Sequence, residues 1–421
     1  MKAAGPTVKT KADTSALPPR LATLRGRRAA VLLYSDFPND TRPYRAAEAM
    51  VAAGMQVDLL CITRGFDAPL RETVDGVSVF RLPIRHRRSG KVAYLVNYLK
   101  FFVRAFLFLA RRGLGGRYDV VHVHNMPDFL VFAAAIPKLR GAGVLLDMHD
   151  PMPELMTTIY DLNPGSAPTR LLHLLERMSF WYSDRIITPN IAFRDLFASR
   201  SCRAEKVKIV LNSPEGNVFD PELFPATAPD PAEFRVMHHG LIAHRHGVDQ
   251  LVEAIAILRP KIPGLRLDLY GEATPFFHEV EALARKLGVL DIFHHHGELS
   301  KEAIAAEIPK CDVGIVSNRR SVFTEINFPT RIFEYLAMNR PVVAPSTQGI
   351  RDYFQADEIV LFTPGSATDM AEKILWVREH PGEAAEVLAR GQAVYRHYLW
   401  ADERVGFLDL VASVAKDGGR S

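Results

Sequence analysis

The stretch Ala29–Ile62, AAVLLYSDFPNDTRPYRAAEAMVAAGMQVDLLCI, contains the pattern that decides the fold. AAVLLY is a short apolar run typical of a buried parallel strand, and YRAAEAMVAAG predicts a helix that ends at Gly54. QVDLLCI predicts a second strand after this helix. The stretch is therefore a βαβ unit, whose two strands lie parallel.

The same alternation recurs along the whole chain. A proline-rich stretch, NSPEGNVFDPELFPATAPDPAEF, is the best candidate for a linker between two series of such units. We predict two doubly wound α/β domains, and ligands of such sheets bind beyond the carboxyl ends of the strands, in a cleft between the domains. The predicted strands are DVVHVH, VLLDM, SDRIITPN and KVKIVLN before the linker, and RVMHHG, LRLDLYG, CDVGIVS and RPVVAP after it.

Length and composition support this organisation. A chain of 421 residues exceeds the size at which one core stops growing, and 48% apolar with 24% charged residues is typical of a globular protein. A net charge of +4 with no basic and aromatic strip gives no reason to expect a nucleic-acid partner. Three widely spaced cysteines, and first residues without the apolar core of a secretory signal, favour a reducing cytoplasm and a mobile N-terminal tail.

Glycine-rich phosphate loops are missing where they would be expected. The loop SDFPNDTRP after the first strand has no glycine, so the sequence does not favour a dinucleotide-dependent dehydrogenase, and no P-loop pattern occurs. A bound diphosphate would have to be held in another way.

The segment NFPTRIFEYLAMNRPVVAP provides such a way. Pro329 and the hydroxyl of Thr330 suit the start of a helix, whose first amides and dipole attract anions. Arg331 can bind phosphate oxygens with its fork of donors, and Glu334, about one turn further on, can accept hydrogen bonds from ribose hydroxyls. The alternative is that Arg331 and Glu334 form only a weak surface ion pair.

Four blocks, HHGLIAHRHGVDQLVEAIA, FPTRIFEYLAMNRPVVAP, LLDMHDPMPEL and VLNSPEGNVF, resemble those of family 4 (group 1) glycosyltransferases. The resemblance covers roughly residues 28–415. It implies the GT-B fold with two Rossmann-like domains, a UDP or GDP sugar held mainly by the second, retention of anomeric configuration and no obligatory metal or other cofactor. It also implies a last helix that crosses back to the first domain. The predicted limits are 1–28 for the tail, 29–225 and 226–399 for the domains, and 400–421 for this helix.

The resemblance also implies donor-side residues, with two departures. Gly240 begins the loop after the first strand of the second domain, where many members have an arginine and a lysine; this chain has Leu241 and His246 instead, and we assign the phosphate charge to Arg245. A glutamate common in the family eight residues before Glu334 is replaced by Ile326, so we do not rely on donor-sugar recognition by such a glutamate.

Catalysis is predicted to depend on charge and on one histidine. Arg245, Arg331 and the amides near Thr330 would stabilise the leaving diphosphate without a metal. By the family resemblance, His149 in LLDMHD touches the donor sugar, although a lone histidine is often structural.

Acceptor-side candidates are less specific. Asp150 and Glu154 could orient an acceptor hydroxyl, or Asp150 could cap the next turn. Arg42, on the first loop, is either a ligand for an acceptor phosphate or part of a loop ion pair. No metal site is predicted, because consecutive histidines on a strand point to opposite faces and no cysteine or carboxylate completes a set near HVH or HHHG.

The segment RHRRSGKVAYLVNYLKFFVRAFLFLARR, residues 85–112, bears on the acceptor. Asn97, Lys100 and Arg104 recur at helical spacing in an otherwise apolar run, and two central charges argue against a transmembrane helix. This segment is either an amphipathic helix that lies in the inner surface of the cytoplasmic membrane, or a helix packed on the first sheet.

Together these features predict a glycosyltransferase of the hexosyltransferase type, which transfers a sugar from a nucleotide diphosphate to a hydroxyl of a glycan or lipid-linked glycan. Two alternatives stay open. One is a GT-B nucleotide-sugar epimerase, which needs no acceptor. The other is a non-catalytic nucleotide-sugar-binding protein, in which the departures at Leu241 and His246 leave too few charges for turnover.

Overall fold

The computed structural model describes residues 17–63, 68–84, 91–114, 116–160, 162–163, 165–225 and 232–416. The chain forms two compact units. The N-terminal unit contains Ser15–Asn212 together with Asp402–Ser421, and the C-terminal unit contains Ser213–Ala401. The last helix therefore belongs to the N-terminal unit, which confirms the predicted crossing back of the chain.

The N-terminal unit is built on an eight-stranded sheet of order β3-β4-β2-β1-β5-β6-β7-β8, in which only the β3–β4 pair is antiparallel. Its strands are β1 (Arg28–Asp36), β2 (Gln56–Ile62), β3 (Arg71–Val74), β4 (Val77–Leu82), β5 (Val120–His124), β6 (Gly143–Asp147), β7 (Arg185–Thr188) and β8 (Val207–Ile209). Its helices before the C-terminal unit are α1 (Thr41–Ala52), α2 (Lys91–Leu114), α3 (Ala135–Leu139), α4 (Met152–Tyr160), α5 (Ala167–Tyr182) and α6 (Ile191–Arg200).

The C-terminal unit has a six-stranded parallel sheet of order β11-β10-β9-β12-β13-β14. Its strands are β9 (Phe234–His239), β10 (Leu265–Tyr270), β11 (Phe293–His295), β12 (Val313–Ile315), β13 (Val342–Pro345) and β14 (Val360–Phe362). Its helices are α7 (Val248–Leu258), α8 (Pro275–Lys286), α9 (Lys301–Glu307), α10 (Val322–Ile326), α11 (Arg331–Ala337), α12 (Gln348–Arg351), α13 (Ala367–Glu379) and α14 (Pro381–Arg396). The last helix, α15, is Trp400–Lys416. Two parallel-sheet domains of the predicted class are thus confirmed.

The order of the strands assigns the helices of the N-terminal unit to two faces. The connection through α1 leads from β1 to β2, in one direction along the sheet. The connections through α2, through the 3₁₀ segment Asp128–Ala134 with α3, and through α5 lead in the opposite direction. Because parallel crossovers are right-handed, α2, the 3₁₀ segment, α3 and α5 cover the face opposite to α1.

Several elements differ from the sequence prediction for clear local reasons. Between the predicted strands DVVHVH and VLLDM, the segment DFLVFAAAIPKL does not form one regular helix. It forms the 3₁₀ segment and then α3, because Pro137 could not continue a regular helix from Asp128. The hairpin β3–β4 was not predicted; its signal was the pair Asp75-Gly76, both with positive φ, between alternating residues.

The predicted mobile tail is wrong over its last residues. Pro19–Leu24 forms a 3₁₀ helix in which Leu21 and Leu24 are buried, so apolar burial fastens this part to the N-terminal unit. The remainder of the predicted tail, residues 1–16, lies outside the described residues.

Helix α2 has one packed side and one exposed side. Tyr98 and Phe101 contact Tyr34 of β1 with ring centroids 4.6 and 5.2 Å away, so this side packs on the sheet. Leu99 and Val103 are exposed on the other side. Packing on the sheet therefore accounts for only part of the apolar surface of α2. The basic flank at residues 85–90 lies outside the described residues. Within the described ranges, none of the helices has both the length and the hydropathy that a membrane span requires.

Candidate functional site

The predicted donor site is centred on Arg331, the first residue of α11. Its Nη1 donates a 2.7 Å hydrogen bond to the backbone carbonyl of His239, the last residue of β9. Gly240 follows with φ 112°, and a Cβ at this position would lie 3.2 Å from the same Nη1. A glycine is therefore required here, both for the backbone conformation and for the close approach of the guanidinium.

Histidine rings surround the Arg331 guanidinium. Nη2 lies 3.1 Å from Nδ1 of His246, and Nη1 lies 3.3 Å from Nε2 of His238. Burial, together with the charge of Arg331, lowers the pKa of His246 and of His239 to about 3, and it holds the pKa of His238 well below its ordinary value. The rings are therefore neutral at physiological pH and can accept hydrogen bonds from the arginine.

Positive charge accumulates here with only one carboxylate nearby. Burial lowers the pKa of Arg331; the charge of Glu334 opposes this shift and that of Arg245 adds to it. Among the described residues no ion pair to Arg331 occurs; its partners are a carbonyl and neutral rings. A partly buried guanidinium in this state is stabilised by an incoming anion.

The loop that carries Arg245 is fastened to the residues after β12. The backbone carbonyl of Arg245 accepts a hydrogen bond from the amide of Arg319 at 3.0 Å, and that of His246 accepts one from the hydroxyl of Ser317 at 2.7 Å. Gly247 then starts α7 in a left-handed conformation, and a Cβ there would lie 2.2 Å from the carbonyl oxygen of Ser317. These contacts hold Arg245 and His246 beside Arg331.

Glu334 lies one turn after Arg331 on α11. Its Oε2 is 3.3 Å from Nε2 of His239, although the ring nitrogen makes no hydrogen bond. Its side chain is 19% exposed. The structure thus brings together Gly240, Arg245, Arg331 and Glu334 around the end of β9, as the sequence predicted for a donor site.

The predicted hydroxyl cap of α11 is wrong. Thr330 is the N-cap residue, but it has helical dihedral angles and its side chain makes no capping hydrogen bond. The turn is held by backbone bonds instead: the carbonyl of Pro329 accepts from Ile332, and that of Thr330 accepts from Phe333. A residue in the helical region cannot aim its hydroxyl at the amides of the first turn.

In the N-terminal unit, His149 stands next to a buried ion pair. Nε of Arg42 is 2.9 Å from both carboxylate oxygens of Asp147, at the end of β6. Nδ1 of His149 is 3.8 Å from Asp147 Oδ1, too far for a hydrogen bond. Burial alone would lower the pKa of His149, but the carboxylates of Asp147 and Asp150 outweigh it and raise this pKa. His149 is therefore easier to protonate than an ordinary histidine.

The sequence analysis predicted Arg42 on the first loop, but it lies in the first turn of α1. Its Nη1 donates to the carbonyl of Val210 and to Asn212 Oδ1, both at 2.9 Å, while its buried Nη2 has no hydrogen-bond partner. The ion-pair alternative for Arg42 is therefore the one observed, with Asp147 as the partner.

Asn125 was missed by the sequence prediction. Its Oδ1 accepts from the amide of His149 at 3.1 Å, and its Nδ2 donates to the carbonyl of Asp150 at 2.6 Å and to Asp128 at 3.2 Å. Asn125 thus orients the backbone that carries His149. The only sequence signal was its position directly after β5, beside the end of β6.

Glu154 is engaged elsewhere. Both of its carboxylate oxygens accept from Arg200, at 2.5 and 3.0 Å, and Arg200 also pairs with the buried Glu176. The carboxylate has a permanent partner inside the N-terminal unit. This geometry is that of a structural ion pair and gives no support to an acceptor role.

A group that could hold a metal contradicts one step of the sequence prediction. His122 and His124 are two residues apart on β5 and share a face, and Asp147 is the register partner of His124 on β6. Ligand atoms of all three lie within 4.8 Å of one another, so the expectation that no carboxylate lies near HVH is wrong. Asp147, however, already binds Arg42, whose charge and the neighbouring histidines outweigh burial and hold its pKa well below the ordinary value.

Comparisons with known proteins agree with this architecture. Residues 40–213 match the family model described as a glycosyl transferase 4-like domain, and residues 220–393 match that of glycosyl transferases group 1. A D-inositol 3-phosphate glycosyltransferase from Arthrobacter sp. (strain FB24) is 22% identical over 362 residues, which cover 82% of this chain and 84% of that protein.

Solved structures show the same fold. Sucrose-phosphate synthase from Thermosynechococcus elongatus superposes with a TM-score of 0.73 at 18% identity, over 91% of this chain and 98% of that one. Anabaena Alr3699/HepE in complex with UDP-glucose gives a TM-score of 0.66 at 17% identity, over 92% and 99% of the two chains. With two family models that together span most of its length, this chain belongs to the family 4 (group 1) glycosyltransferases of the GT-B fold.

Proposed function

We propose that this protein transfers a hexosyl residue from a nucleotide-diphosphate sugar to a hydroxyl of a glycan or lipid-linked glycan, with retention of configuration and without a metal. One observation carries the proposal. Arg331 is partly buried at the end of β9 with neutral hydrogen-bond partners, and among the described residues no carboxylate forms an ion pair with it. A diphosphate would supply the missing negative charge.

The chemistry of the leaving group agrees with this assignment. When the bond to the sugar breaks, negative charge develops on the diphosphate, and cations held in place beforehand stabilise that charge. Arg331 is held by three contacts, and the loop of Arg245 is fastened by Arg319 and Ser317. Arg331 and the backbone of Arg245 are thus held without a bound donor, which supports a role of this kind.

The nucleoside part of the donor is assigned to Glu334. Its carboxylate lies one turn beyond Arg331, a spacing of roughly 5 Å that suits the step from phosphate to ribose. The relative from Anabaena was solved with UDP-glucose, which supports a uridine or similar nucleotide as the first donor to test.

In the N-terminal unit we propose that His149 contacts the donor sugar, with Asp147 and Asn125 as positioning residues. The carboxylate of Asp147 lies 3.8 Å from the imidazole of His149, and Asn125 accepts a hydrogen bond from the backbone amide of His149. Asp150 is the remaining candidate for orienting the acceptor hydroxyl. A lipid-linked acceptor would bring the enzyme to the inner face of the cytoplasmic membrane, which the exposed apolar side of α2 supports.

Calorimetric titration of UDP, GDP and NAD into the wild type and Glu334→Ala is the first test. We expect UDP or GDP to bind and Glu334→Ala to weaken that binding. Glu325→Ala is the matched control, because Glu325 is a nearby acid whose Oε2 is already held by Arg320 at 2.7 Å. Binding of NAD alone, or of nucleotides regardless of Glu334, would overturn the assignment.

Turnover distinguishes the alternatives. Incubation with the nucleotide sugar in the absence of any acceptor should leave the sugar configuration unchanged; a changed sugar would indicate an epimerase. Binding of the donor with no transfer to any hydroxyl acceptor would indicate a non-catalytic binding protein.

A further inference from the structure

Helix α5 carries an exposed apolar stripe that the sequence analysis did not single out. Leu171, Leu174, Met178 and Trp181 follow one another at spacings of three and four residues, so they share one side of the helix. Their side chains are 46–81% exposed, and Trp181 is the most exposed of them. Large apolar side chains grouped in this way mark an interaction surface.

Helix α2 has a matching stripe. Leu95, Leu99, Val103 and Leu107 recur every four residues and are 42–54% exposed. The opposite side of α2 is buried against β1 through Tyr98 and Phe101. The stripe therefore points away from the sheet.

The two helices belong to one layer. The 3₁₀ segment Asp128–Ala134 lies between them and contacts both: Phe129 packs on Phe102 of α2 with centroids 5.8 Å apart, and Phe132 packs on Tyr182 of α5 at 5.1 Å. All three elements cover the same face of the sheet, because their connections run in the same direction along it. We call the outer surface of this layer the α2–α5 face.

Exposed charges on α2, the 3₁₀ segment, α3 and α5 are of one sign. The next helix of the layer, α6, adds the exposed Asp195, which is paired with Arg194 at 2.8 Å. Within α2, the 3₁₀ segment, α3 and α5, the acidic residues are Asp128 and Glu176, and both are buried. The exposed charged side chains of these elements and of Arg140, which directly follows α3, are all basic: Lys100, Arg104, Arg111, Arg140, Arg170 and Arg177. Such a face is electrostatically complementary to an anionic surface.

We propose that the α2–α5 face docks on the surface of an anionic lipid bilayer, with the two apolar stripes inserted at the level of the headgroups and the basic side chains against lipid phosphates. Trp181 anchors the face, since an exposed tryptophan is most stable at the boundary between headgroups and acyl chains. Pairing with a second copy of the same face is disfavoured, because it would bring the six cations of each copy together.

Vesicle flotation tests the proposal directly. The wild-type protein should float with vesicles that contain about one third phosphatidylglycerol and not with pure phosphatidylcholine, and about 0.5 M salt should weaken the binding. Tryptophan fluorescence should shift to shorter wavelength on binding. Trp181→Phe should remove most of that shift, because the other tryptophans, Trp376 and Trp400, are not on this face.

Matched variants distinguish vesicle binding by this face from non-specific adsorption of the protein. Leu174→Gln with Trp181→Gln, and separately Arg170→Glu with Arg177→Glu, should each lower the vesicle partition coefficient about tenfold or more. Leu70→Gln, at a comparably exposed leucine outside the layer, and Arg285→Glu with Lys286→Glu, on α8, should leave it nearly unchanged. All positions are exposed, so thermal melting should be the same for every variant.

Two outcomes would overturn the proposal. One is that wild-type protein does not bind anionic vesicles even at low salt. The other is a stable dimer in analytical ultracentrifugation that the Leu174→Gln, Trp181→Gln pair dissociates, since this would make the face a protein interface. Neither outcome depends on nucleotide binding, so failure here leaves the donor-site titration unaffected.

Discussion

Nη2 of Arg331 lies 3.1 Å from Nδ1 of His246, a residue 85 positions earlier in the chain. A guanidinium can only donate, so this contact is a hydrogen bond only while Nδ1 carries no proton. The same Nδ1 also lies 3.1 Å from Oδ1 of Asn318. Protonation of His246 would turn this contact into a repulsion between two cations. The pKa of about 3 follows from burial first and from this neighbouring charge second.

Folding stability should therefore decrease in mild acid. The folded pKa of His246 and of His239 is about 3, below the ordinary 6.5, so the unfolded chain binds protons between these values that the folded chain does not. This contribution is complete above pH 6.5 and is lost as the pH falls towards 3. Urea unfolding at several pH values checks it. In His246→Asn, which keeps an accepting oxygen, the slope should be shallower by about one proton; an unchanged slope would contradict the assignment.

Replacement of Arg331 should weaken binding of a nucleoside diphosphate more than that of the nucleoside. Arg331→Lys keeps the charge but loses the planar fork, and Arg331→Gln loses both, so we expect losses of about tenfold and about a hundredfold in affinity. Titration calorimetry with UDP and uridine measures the difference. Arg320→Gln, at an exposed arginine paired with Glu325, is the control and should have no effect.

Glu334 should act on the ribose. With the wild type, 2′-deoxy-UDP should bind about tenfold more weakly than UDP, because a hydrogen bond to a carboxylate is worth about 1.5–3 kcal/mol. With Glu334→Ala the two ligands should bind equally. A deoxy effect that persists in the variant would mean that another group meets the ribose.

Removal of Arg42 should destabilise the N-terminal unit. Arg42→Met leaves the buried carboxylate of Asp147 without its cation, and we expect a loss of about 3–5 kcal/mol in the free energy of unfolding. The double variant Arg42→Met, Asp147→Leu should recover most of it. The exposed pair of Arg194 and Asp195 provides the control, since Arg194→Met should cost less than about 1 kcal/mol. Equal losses of unfolding free energy in Arg42→Met and Arg194→Met would show that burial of the ion pair does not increase its contribution to stability.

The predictions for the donor site depended on local spacing and on family resemblance. Arg331 and Glu334 are three residues apart on one helix, so their common position could be predicted from the sequence. The histidines around them could not, because His238, His239 and His246 meet Arg331 only when α11 packs beside the end of β9. The same holds for Asn125, which follows β5 and meets the backbone of His149 after the neighbouring strand β6.

The amino-acid sequence by itself determined the alternation of strands and helices and the two parallel-sheet units, because apolar periodicity is a local property of the chain. The return of the last helix was implied by the family resemblance and not by periodicity. Only the tertiary structure decided the partners of the charged groups. Asp147 faces His124 through the register of β5 and β6, and Arg42 reaches it from α1, 105 residues away. Charge interactions act through space at distances of a few ångströms, and strand order and register, which depend on the packing of the whole sheet, decide which charges come that close.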